Sequence, residues 1–355
     1  MKLTRRTLLQ TAAGTAAAST VAGCLDDISA ADANLDAGYA AFFTLWDWAE
    51  QVSGDAIDFE NPVGTGQAGH GWSPSGDLTR DIADAGVFVY FDTPAFSWAQ
   101  DVAATLESDY DTVAVIDGLE GLDDQLLGWD HETDSHGHGN EDNHSTETHD
   151  GHDHESEGDQ HTETHDGHDH GEASIDPHVW LDPVLAGEIV ETIASGLADA
   201  DPDNAETYEE NAASYTTDLE SIDQQFTDLL ETADQHVAVF AGHDSFTYLQ
   251  DRYGFDIHTP VGVSPQEEPS ASDISETIEL VDSEGIETIL YDPFEDPDGA
   301  CPLVETILSE SDATDTMPIT HLSGTLATWQ DEGWGYLEQM EEINIPAFRE
   351  VLDAQ

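Results

Sequence analysis

The chain has 355 residues, of which 78 are Asp or Glu and only 6 are Lys or Arg, so its formal net charge at pH 7 is −72. Carboxylates at this density repel one another at ordinary ionic strength, whereas molar salt shortens the screening length to about 3 Å, so the composition is typical of extreme halophiles. We expect no nucleic-acid partner, since nucleic acid is itself a polyanion, and apolar periodicity outside residues 131–172 excludes an acidic disordered chain.

The first 24 residues predict an export signal. MKLTRRTLLQTAAGTAAASTVAGC begins with Arg5 and Arg6 ahead of a short, weakly apolar run. This pattern is typical of the twin-arginine (Tat) pathway, and the run is too short and interrupted to span a membrane. VAGC resembles a lipobox, so we expect residues 1–23 to be removed and Cys24 to carry a lipid; an ordinary cleaved signal is the alternative. Only Cys301 then remains, which excludes a cysteine-rich zinc site.

A short linker, 24–35, precedes a predicted N-terminal α/β lobe that covers residues 36–200. Its apolar, β-branched runs predict strands, and a segment of helical spacing, SGDLTRDIADA, lies between two of them. Strands that alternate with helices favour a parallel sheet with helices on both faces. The predicted strands are GYAAFFTL (38–45), GVFVYF (86–91) and TVAVID (112–117).

Residues 131–172 form a histidine-rich and acidic ribbon inside this lobe. The ribbon contains eleven of the seventeen histidines of the chain and no large apolar residue. Such a composition cannot form a core, so we expect a disordered loop. TETHDGHDH occurs twice, at 146–154 and 162–170, and contributes His149, His152, His154, His165, His168 and His170.

The clearest predicted helix joins the two lobes and covers residues 201–233. Seven apolar positions at steps of three and four form one stripe over 22 residues, about 33 Å of helix. Asp201 and Pro202 suit its first turn. The helix is expected to act as a strut between the lobes, and a plain surface helix is the alternative. The stripe consists of Tyr208, Ala212, Tyr215, Leu219, Ile222, Phe226 and Leu229.

The C-terminal lobe, residues 234–355, repeats the α/β pattern. HVAVFAG (236–242), ETILYDP (287–293) and TMPIT (316–320) predict strands, and SASDISETIELVDSEG predicts a helix before the middle strand. The sequence therefore predicts two lobes of the same architecture with a cleft between them.

Four of the six histidines outside the ribbon are candidate metal ligands. His243 and His321 each follow a predicted strand, His178 precedes a helix, and His70 lies in a glycine-rich loop. Ligands of parallel sheets bind beyond the carboxyl ends of the strands, where such residues converge. His236 and His258 lack this context, and we expect them to be solvated or hydrogen-bonded.

Five motifs in order resemble the zinc/manganese solute-binding proteins of ABC importers, over roughly residues 36–351. The resemblance implies two α/β lobes joined by one long helix, a metal in the cleft with ligands from both lobes, and a histidine-rich insertion before the second ligand. The motifs are GHGWSPS, DPHVWLDP, GHDSFTYLQDRYGFD, SPQEEPSASDI and GWGYLEQMEEI.

Carried over by position, the resemblance implies ligands at His70, His178 and His243. Gly69 stands where the family usually has proline. The family's fourth ligand is usually a carboxylate, and THLSG places His321 there instead. Water or a nearby acid such as Asp292 is the alternative fourth ligand; otherwise Asp292 is expected to be a supporting or structural residue.

Imidazole ligands favour Zn²⁺ over Mn²⁺, which prefers a larger share of carboxylate oxygen. Imidazole also binds Cu²⁺ and Ni²⁺ tightly, so ligand type alone leaves the selectivity open. Asp176 and Asp182 flank His178 and are candidates to hold its ring by a hydrogen bond.

The residues and the resemblance together predict a monomeric, extracytoplasmic lipoprotein at the cell surface. We expect it to be anchored to the membrane by a lipid, to capture Zn²⁺ and to deliver it to the permease of an ABC importer. The ribbon is expected to raise the local zinc concentration; an unselected polar insertion suited to high salt is the alternative. A surface zinc store or chaperone differs only in its partner. A zinc hydrolase is disfavoured because no His-Glu-x-x-His motif occurs.

Overall fold

The structure is a computed structural model. It describes residues 35–67, 69, 71–128, 175–262, 268–294 and 301–355. Cys24 with the predicted signal, His70 and the histidine-rich ribbon lie outside the described residues. Within the described ranges, no helix combines the length and the apolar character needed to cross a membrane.

The first half of the described chain forms a parallel four-stranded sheet in the order β2-β1-β3-β4. Four helices accompany it. Asp182 is the N-cap of α4, and its carboxylate accepts hydrogen bonds from the N–H groups of Val184 and Leu185. The elements are β1 (Ala37–Ala40), α1 (Phe43–Ser53), β2 (Asp58–Glu60), α2 (Leu78–Ala85), β3 (Val87–Tyr90), α3 (Ser97–Asp109), β4 (Ala114–Asp117) and α4 (Pro183–Ala200).

The long helix α5 (Ala205–Thr232) follows, and its buried residues are those of the predicted apolar stripe. Its 28 residues span about 42 Å at the usual helical rise. The helix contacts both halves of the chain. Tyr215 donates through its hydroxyl to Asp47 of α1 over 3.1 Å. The hydroxyl of Tyr253, in the second half, donates to Asp223 of α5 over 2.8 Å.

The predicted start of this helix was wrong. Asp201 terminates α4, and α5 begins at Ala205 after Asn204. The Asp201 carboxylate accepts hydrogen bonds from the side chains of Asn204 and Tyr208. Asp201 and Pro202 therefore belong to the turn between two helices. Asp is common in turns as well as at helix starts, so its presence indicated the turn and not the first residue of α5.

The second half repeats the topology, with a parallel sheet in the order β6-β5-β7-β8. This confirms the predicted fold class of two parallel-sheet lobes. The elements are β5 (Val237–Ala241), α6 (Thr247–Tyr253), β6 (Asp256–His258), α7 (Ala271–Glu284), β7 (Thr288–Tyr291), α8 (Pro302–Glu310), β8 (Asp315–Pro318), α9 (Ala327–Glu332), α10 (Tyr336–Gln339), a π-helical turn (Met340–Asn344) and α11 (Ile345–Val351).

Both faces of the second sheet are buried. Ala238 and Phe240 of β5 belong to the large core that extends into the first half, whereas Val239 and Ala241 belong to a separate core. Successive side chains of a strand point to opposite faces, so β5 contributes to both cores. A sheet covered on both faces is expected when its strands are parallel.

The strand predicted over 38–45 was too long. The chain leaves β1 at Ala40 and α1 begins at Phe43, although residues 40–45 are buried throughout. A short apolar run does not distinguish a buried strand from the buried first turn of a helix. The three-residue strands β2 and β6 escaped prediction as defined strands because they are too short for a clear alternation.

Candidate metal centre

Three of the four predicted histidines meet at the carboxyl ends of the strands of the second sheet. His243 follows β5, His321 follows β8, and His178 begins a 3₁₀ turn, His178–Leu181, directly before α4. All three side chains are buried. The chain reverses its winding between β5 and β7, which is where parallel sheets bind ligands. The fourth, His70, lies outside the described residues.

Both of the other imidazole rings lie close to His243. Its ring centroid lies 5.4 Å from that of His178 and 5.2 Å from that of His321. Two imidazoles on one tetrahedral Zn²⁺ have centroids about 5 Å apart, since each Zn–N bond is about 2.0 Å and the nitrogen lies about 1 Å from its ring centre. Each neighbouring pair of rings therefore has the separation that a shared zinc ion requires. No three His, Cys, Asp or Glu side chains form a complete metal-binding group in the part of the chain that the structure describes.

Asp176 orients the ring of His178. Its Oδ1 lies 2.8 Å from His178 Nδ1 and also accepts from the His178 backbone N–H over 2.9 Å. A carboxylate beside Nδ1 places the ring proton there and leaves the lone pair of Nε2 for a metal. Burial lowers the pKa of His178 to about 4. The imidazole is therefore neutral at pH 7, as a metal ligand must be.

Asp182, the second predicted support of His178, has another role. Its carboxylate caps α4, and it also forms an ion pair with Arg252 of α6. Arg252 is one of only three arginines beyond residue 24. The expected contact of Asp182 with the histidine was therefore wrong, since its acceptor oxygens are used by the helix N-terminus and by the guanidinium.

His321 has partners at both ring nitrogens. Nδ1 accepts from the backbone N–H of Ser323 over 3.2 Å and lies 2.8 Å from Ser323 Oγ. A backbone N–H can only donate, so Nδ1 acts as an acceptor toward Ser323, and the other ring nitrogen, Nε2, lies 3.0 Å from Oδ2 of Asp292. Asp292 follows β7 and is buried; its Oδ1 accepts from Phe294 N–H over 2.8 Å. A metal bound at Nε2 would come within reach of Asp292.

The two halves also meet beside the histidines. Gly66 N–H donates to the carbonyl of Thr325 over 2.8 Å, and Thr65 Oγ1 donates to Gln330 Oε1 over 2.9 Å. Residues 61–67 precede His70 in the chain, and residues 324–330 follow His321. These contacts join the segment that precedes His70 in the sequence to the segment that follows His321.

His236 and His258 behave as predicted. His236 is exposed. His258 Nε2 lies 2.8 Å from Thr277 Oγ1. Neither takes part in the cluster around His243, so both can serve as control positions.

Sequence reasoning missed several residues that support the cluster. Trp180 Nε1 donates to the His321 carbonyl over 2.7 Å, and the Trp180 ring lies beside that of His178. The hydroxyl of Tyr248 donates to the Asp176 carbonyl over 3.0 Å. The only signal for Trp180 was its place in DPHVWLDP, two residues after His178. Tyr248 likewise lies in GHDSFTYLQDRYGFD, five residues after His243, but nothing in that motif indicates its contact with Asp176, which is 72 residues away.

Known proteins identify the family. The family model of ZnuA, described as zinc-uptake complex component A, periplasmic, matches residues 39–350. This chain belongs to that family. Members of the zinc-uptake component A family are solute-binding components of zinc uptake and are not enzymes.

Other members of the zinc-uptake component A family resemble this chain along most of its length. The zinc-binding lipoprotein AdcA of Streptococcus pneumoniae (strain ATCC BAA-255 / R6) is 29% identical over 88% of this chain, which spans 55% of AdcA. The chain thus spans about half the length of that relative. The high-affinity zinc uptake system protein ZnuA of Bacillus subtilis (strain 168) is 25% identical over 88% of this chain and 86% of the relative.

Solved structures share the fold. The Zn(II)-bound ZnuA-like domain of Streptococcus pneumoniae AdcA superposes with a TM-score of 0.66 at 26% identity, over 90% of this chain and 99% of that domain. The metal-dependent lipoprotein YcdH of Bacillus subtilis gives 0.67 at 23% identity, over 89% of this chain and 99% of that one. The two-lobed fold is therefore that of the zinc-uptake component A family.

Proposed function

We propose that this protein captures Zn²⁺ between its two lobes and delivers it to the permease of an ABC importer. The observation that carries the proposal is the arrangement around His243, whose two imidazole neighbours lie at the separations expected for ligands of one tetrahedral zinc ion. Family membership and the zinc-binding relatives support the same conclusion.

The proposed ligands are His70, His178, His243 and His321. His178 is proposed to bind through Nε2, because Asp176 holds its other nitrogen. His321 is proposed to bind through Nε2, which lies 3.0 Å from Asp292 Oδ2, so Asp292 either becomes a ligand or accepts a hydrogen bond from a zinc-bound water. Zinc tolerates both, since it binds imidazole and carboxylate at similar distances of about 2.0 to 2.2 Å.

Zinc is proposed as the physiological ion, with Mn²⁺ less suited. The candidate donors are mainly imidazole nitrogens, whereas Mn²⁺ favours carboxylate oxygen. Cu²⁺ and Ni²⁺ also bind imidazole strongly, so competition among Zn²⁺, Cu²⁺, Ni²⁺ and Mn²⁺ is the measurement that settles selectivity. The helix α5 contacts both lobes, so we infer that it limits how far they separate.

We further propose that the chain is exported through the twin-arginine signal and is anchored at the cell surface by a lipid on Cys24. One acyl chain gives only marginal membrane binding, so docking on the permease must help to retain the protein. The surface is strongly acidic, which suits molar salt and basic permease loops.

The histidine-rich ribbon, residues 131–172, is proposed to collect zinc beside the cleft. A flexible chain of weak sites raises the local zinc concentration without needing a fixed structure. Deleting it is expected to lower the total zinc bound per chain and to leave one tight site. If the tight site is lost as well, the ribbon is part of the site itself.

The experiment is a zinc titration in molar KCl of the protein without 131–172, against a competing chelator. Alanine substitutions of His70, His178 and His243 are each expected to remove the tight site, and His321→Ala tests the fourth position. His236→Ala and His258→Ala are the matched controls and should retain it. The full-length protein is titrated beside it, and a full-length protein without tight zinc binding would refute the importer assignment.

A further inference from the structure

The short loop that carries His321 is held by hydrogen bonds to the backbone groups of three successive residues. The Thr320 N–H donates to Asn344 Oδ1, and the Thr320 carbonyl accepts from Asn344 Nδ2, both over 2.8 Å. The His321 carbonyl accepts from the indole of Trp180 over 2.7 Å. Leu322 N–H donates to Thr320 Oγ1 over 3.0 Å. The position of His321 is therefore set through main-chain contacts as well as through its ring.

Leu322 shows that this loop needs external support. Its φ is +62°, in the left-handed region that a branched side chain rarely occupies. Such a conformation persists only where the surroundings determine it, and it is often found at functional sites. Its carbonyl accepts from the hydroxyl of Thr44 in the first lobe. The loop is thus held from both lobes, and Asn344 is the anchor within its own lobe.

Asn344 is placed for this contact by an irregular helix. It ends the π-helical turn Met340–Asn344 between α10 and α11. A single π turn inside a helix is rare and frequently marks a functional site. The Asn344 side chain is fully buried. Its amide oxygen and nitrogen both bind the backbone of Thr320, and the nitrogen also donates to Met340 Sδ over 3.6 Å. The cost of burying this polar group is therefore offset mainly by Thr320.

We propose that Asn344 is a positioning residue for zinc binding, which acts by fixing Thr320 and thereby presenting the imidazole of His321 toward His243 and Asp292. This inference rests on the proposed zinc-capturing function. It assigns a role in that function to a residue 23 positions away from the candidate ligand in the sequence.

The test compares Asn344→Leu with Asn211→Leu in zinc titrations of the full-length protein in molar KCl, against a competing chelator of known affinity. Leucine has the same branched shape and number of heavy atoms as asparagine and removes both hydrogen-bonding groups. Loss of a residue that orients a ligand typically weakens metal binding by about 10 to 100-fold. Because Asn344 acts through His321, we expect the lower end of this range, about tenfold, which is the loss expected for His321→Ala. Asn211 is the matched control, since its Nδ2 donates to the Val52 carbonyl over 2.9 Å.

A double substitution separates positioning from general stability. Asn344→Leu is expected to weaken zinc binding in the parent protein but to add nothing in the His321→Ala background, because the residue acts through His321. The visible spectrum of bound Co²⁺ should change in the same way in Asn344→Leu and in His321→Ala. Asn344→Asp retains the oxygen that accepts from Thr320 N–H, so its affinity should lie between those of the parent and Asn344→Leu. It also serves if the leucine variant fails to fold.

Three results overturn the inference while leaving the proposed function intact: Asn344→Leu binds zinc like Asn211→Leu; Asn344→Leu weakens binding equally with and without His321; or His321→Ala itself has parental affinity. A parent protein without tight zinc binding refutes the proposed function, and this inference with it. The parent and His178→Ala titrations therefore distinguish the two failures.

Discussion

His178 and His321 are both neighbours of His243, but the chain supports the two imidazoles differently. The support of His178 is local, because Asp176 is two residues away and binds both its ring and its backbone N–H. The ring of His321 also has a local partner, Ser323, but its backbone is held by distant parts of the chain, including Trp180 in the other lobe. Local support survives a change in the distance between lobes, whereas support across the lobes does not. His178 is thus the fixed member of the cluster and His321 the adjustable one.

This difference suggests an order of events in zinc release. When the lobes separate, the contacts of Thr44 and Trp180 with the His321 loop must break, and so must the contact of Tyr248 with the Asp176 carbonyl. The hydrogen bond between Asp176 and His178 remains, since both residues belong to one segment. We infer that zinc loses His321 before it loses His178.

Removing each imidazole in turn gives the largest expected effects. His178→Ala should weaken zinc binding at least about 100-fold, about 2.7 kcal/mol of binding free energy. His321→Ala should cost only about tenfold, because Asp292 remains beside the vacated position. Chelator competition in molar KCl measures both. Equal losses for the two variants would contradict the proposed difference between them.

The local support of His178 can be removed without removing the ligand. Asp176→Asn eliminates the charge that holds the Nδ1 proton, and we expect about 10 to 100-fold weaker zinc binding. Asp182→Asn is the matched control. It should leave the zinc affinity unchanged and lower the free energy of unfolding by about 1 kcal/mol, because the ion pair with the partly exposed Arg252 is lost, whereas Asn caps a helix about as well as Asp. Urea unfolding of the metal-free proteins provides the second measurement.

The pH dependence of stability is the third expected effect. Burial lowers the pKa of His178 to about 4, against an ordinary value of 6.5. Below pH 6.5 the unfolded chain takes up a proton here that the folded protein refuses. The folded state is therefore fully stable above pH 6.5 with respect to this group and loses stability as the pH falls toward 4. The total loss is about 3 kcal/mol.

The measurement compares urea unfolding of the metal-free parent with that of His178→Asn at pH 7 and pH 4.5. Burial also raises the pKa of Asp47 to about 6, which adds stability as the pH falls, but both proteins share this group. The parent should lose about 2 to 3 kcal/mol more than the variant between the two pH values. Parallel losses would mean that His178 is protonated in the folded state.

Much of the fold and of one side of the site could be predicted from the sequence. The period of the apolar residues predicted the stripe of α5. The strands β3, β4, β5 and β7 lie within the runs that predicted them. His178 and Asp176 could be paired on paper because both stand in one motif. In each case the determining interactions are local in the chain.

The remainder depends on contacts between distant residues. Nothing in THLSG indicates that Asn344 binds the backbone of Thr320, or that Leu322 adopts a positive φ. Of the two candidate supports of His178, Asp182 failed for the same reason, since its actual partner Arg252 lies 70 residues away. Residue type and spacing report local chemistry, whereas tertiary packing decides which acceptor meets which donor.

The smallest expected effect concerns the contact between the two loops that flank His70 and His321 in the sequence. A Cβ at Gly324 would lie 2.5 Å from the backbone oxygen of Gln67 and 3.0 Å from the ring of Phe294. Because the first of these atoms is backbone, Gly324→Ala must push the two loops apart. We expect zinc to dissociate a few-fold faster and the free energy of unfolding to fall by about 1 to 3 kcal/mol, the usual cost of overpacking.

Gly76→Ala is the matched control, since a Cβ there meets nothing within 4 Å. Stopped-flow transfer of zinc to a chelator measures the dissociation rate. A rate unchanged by Gly324→Ala, with the stability loss present, would show that the contact between these loops stabilises the fold and has no part in retaining the metal.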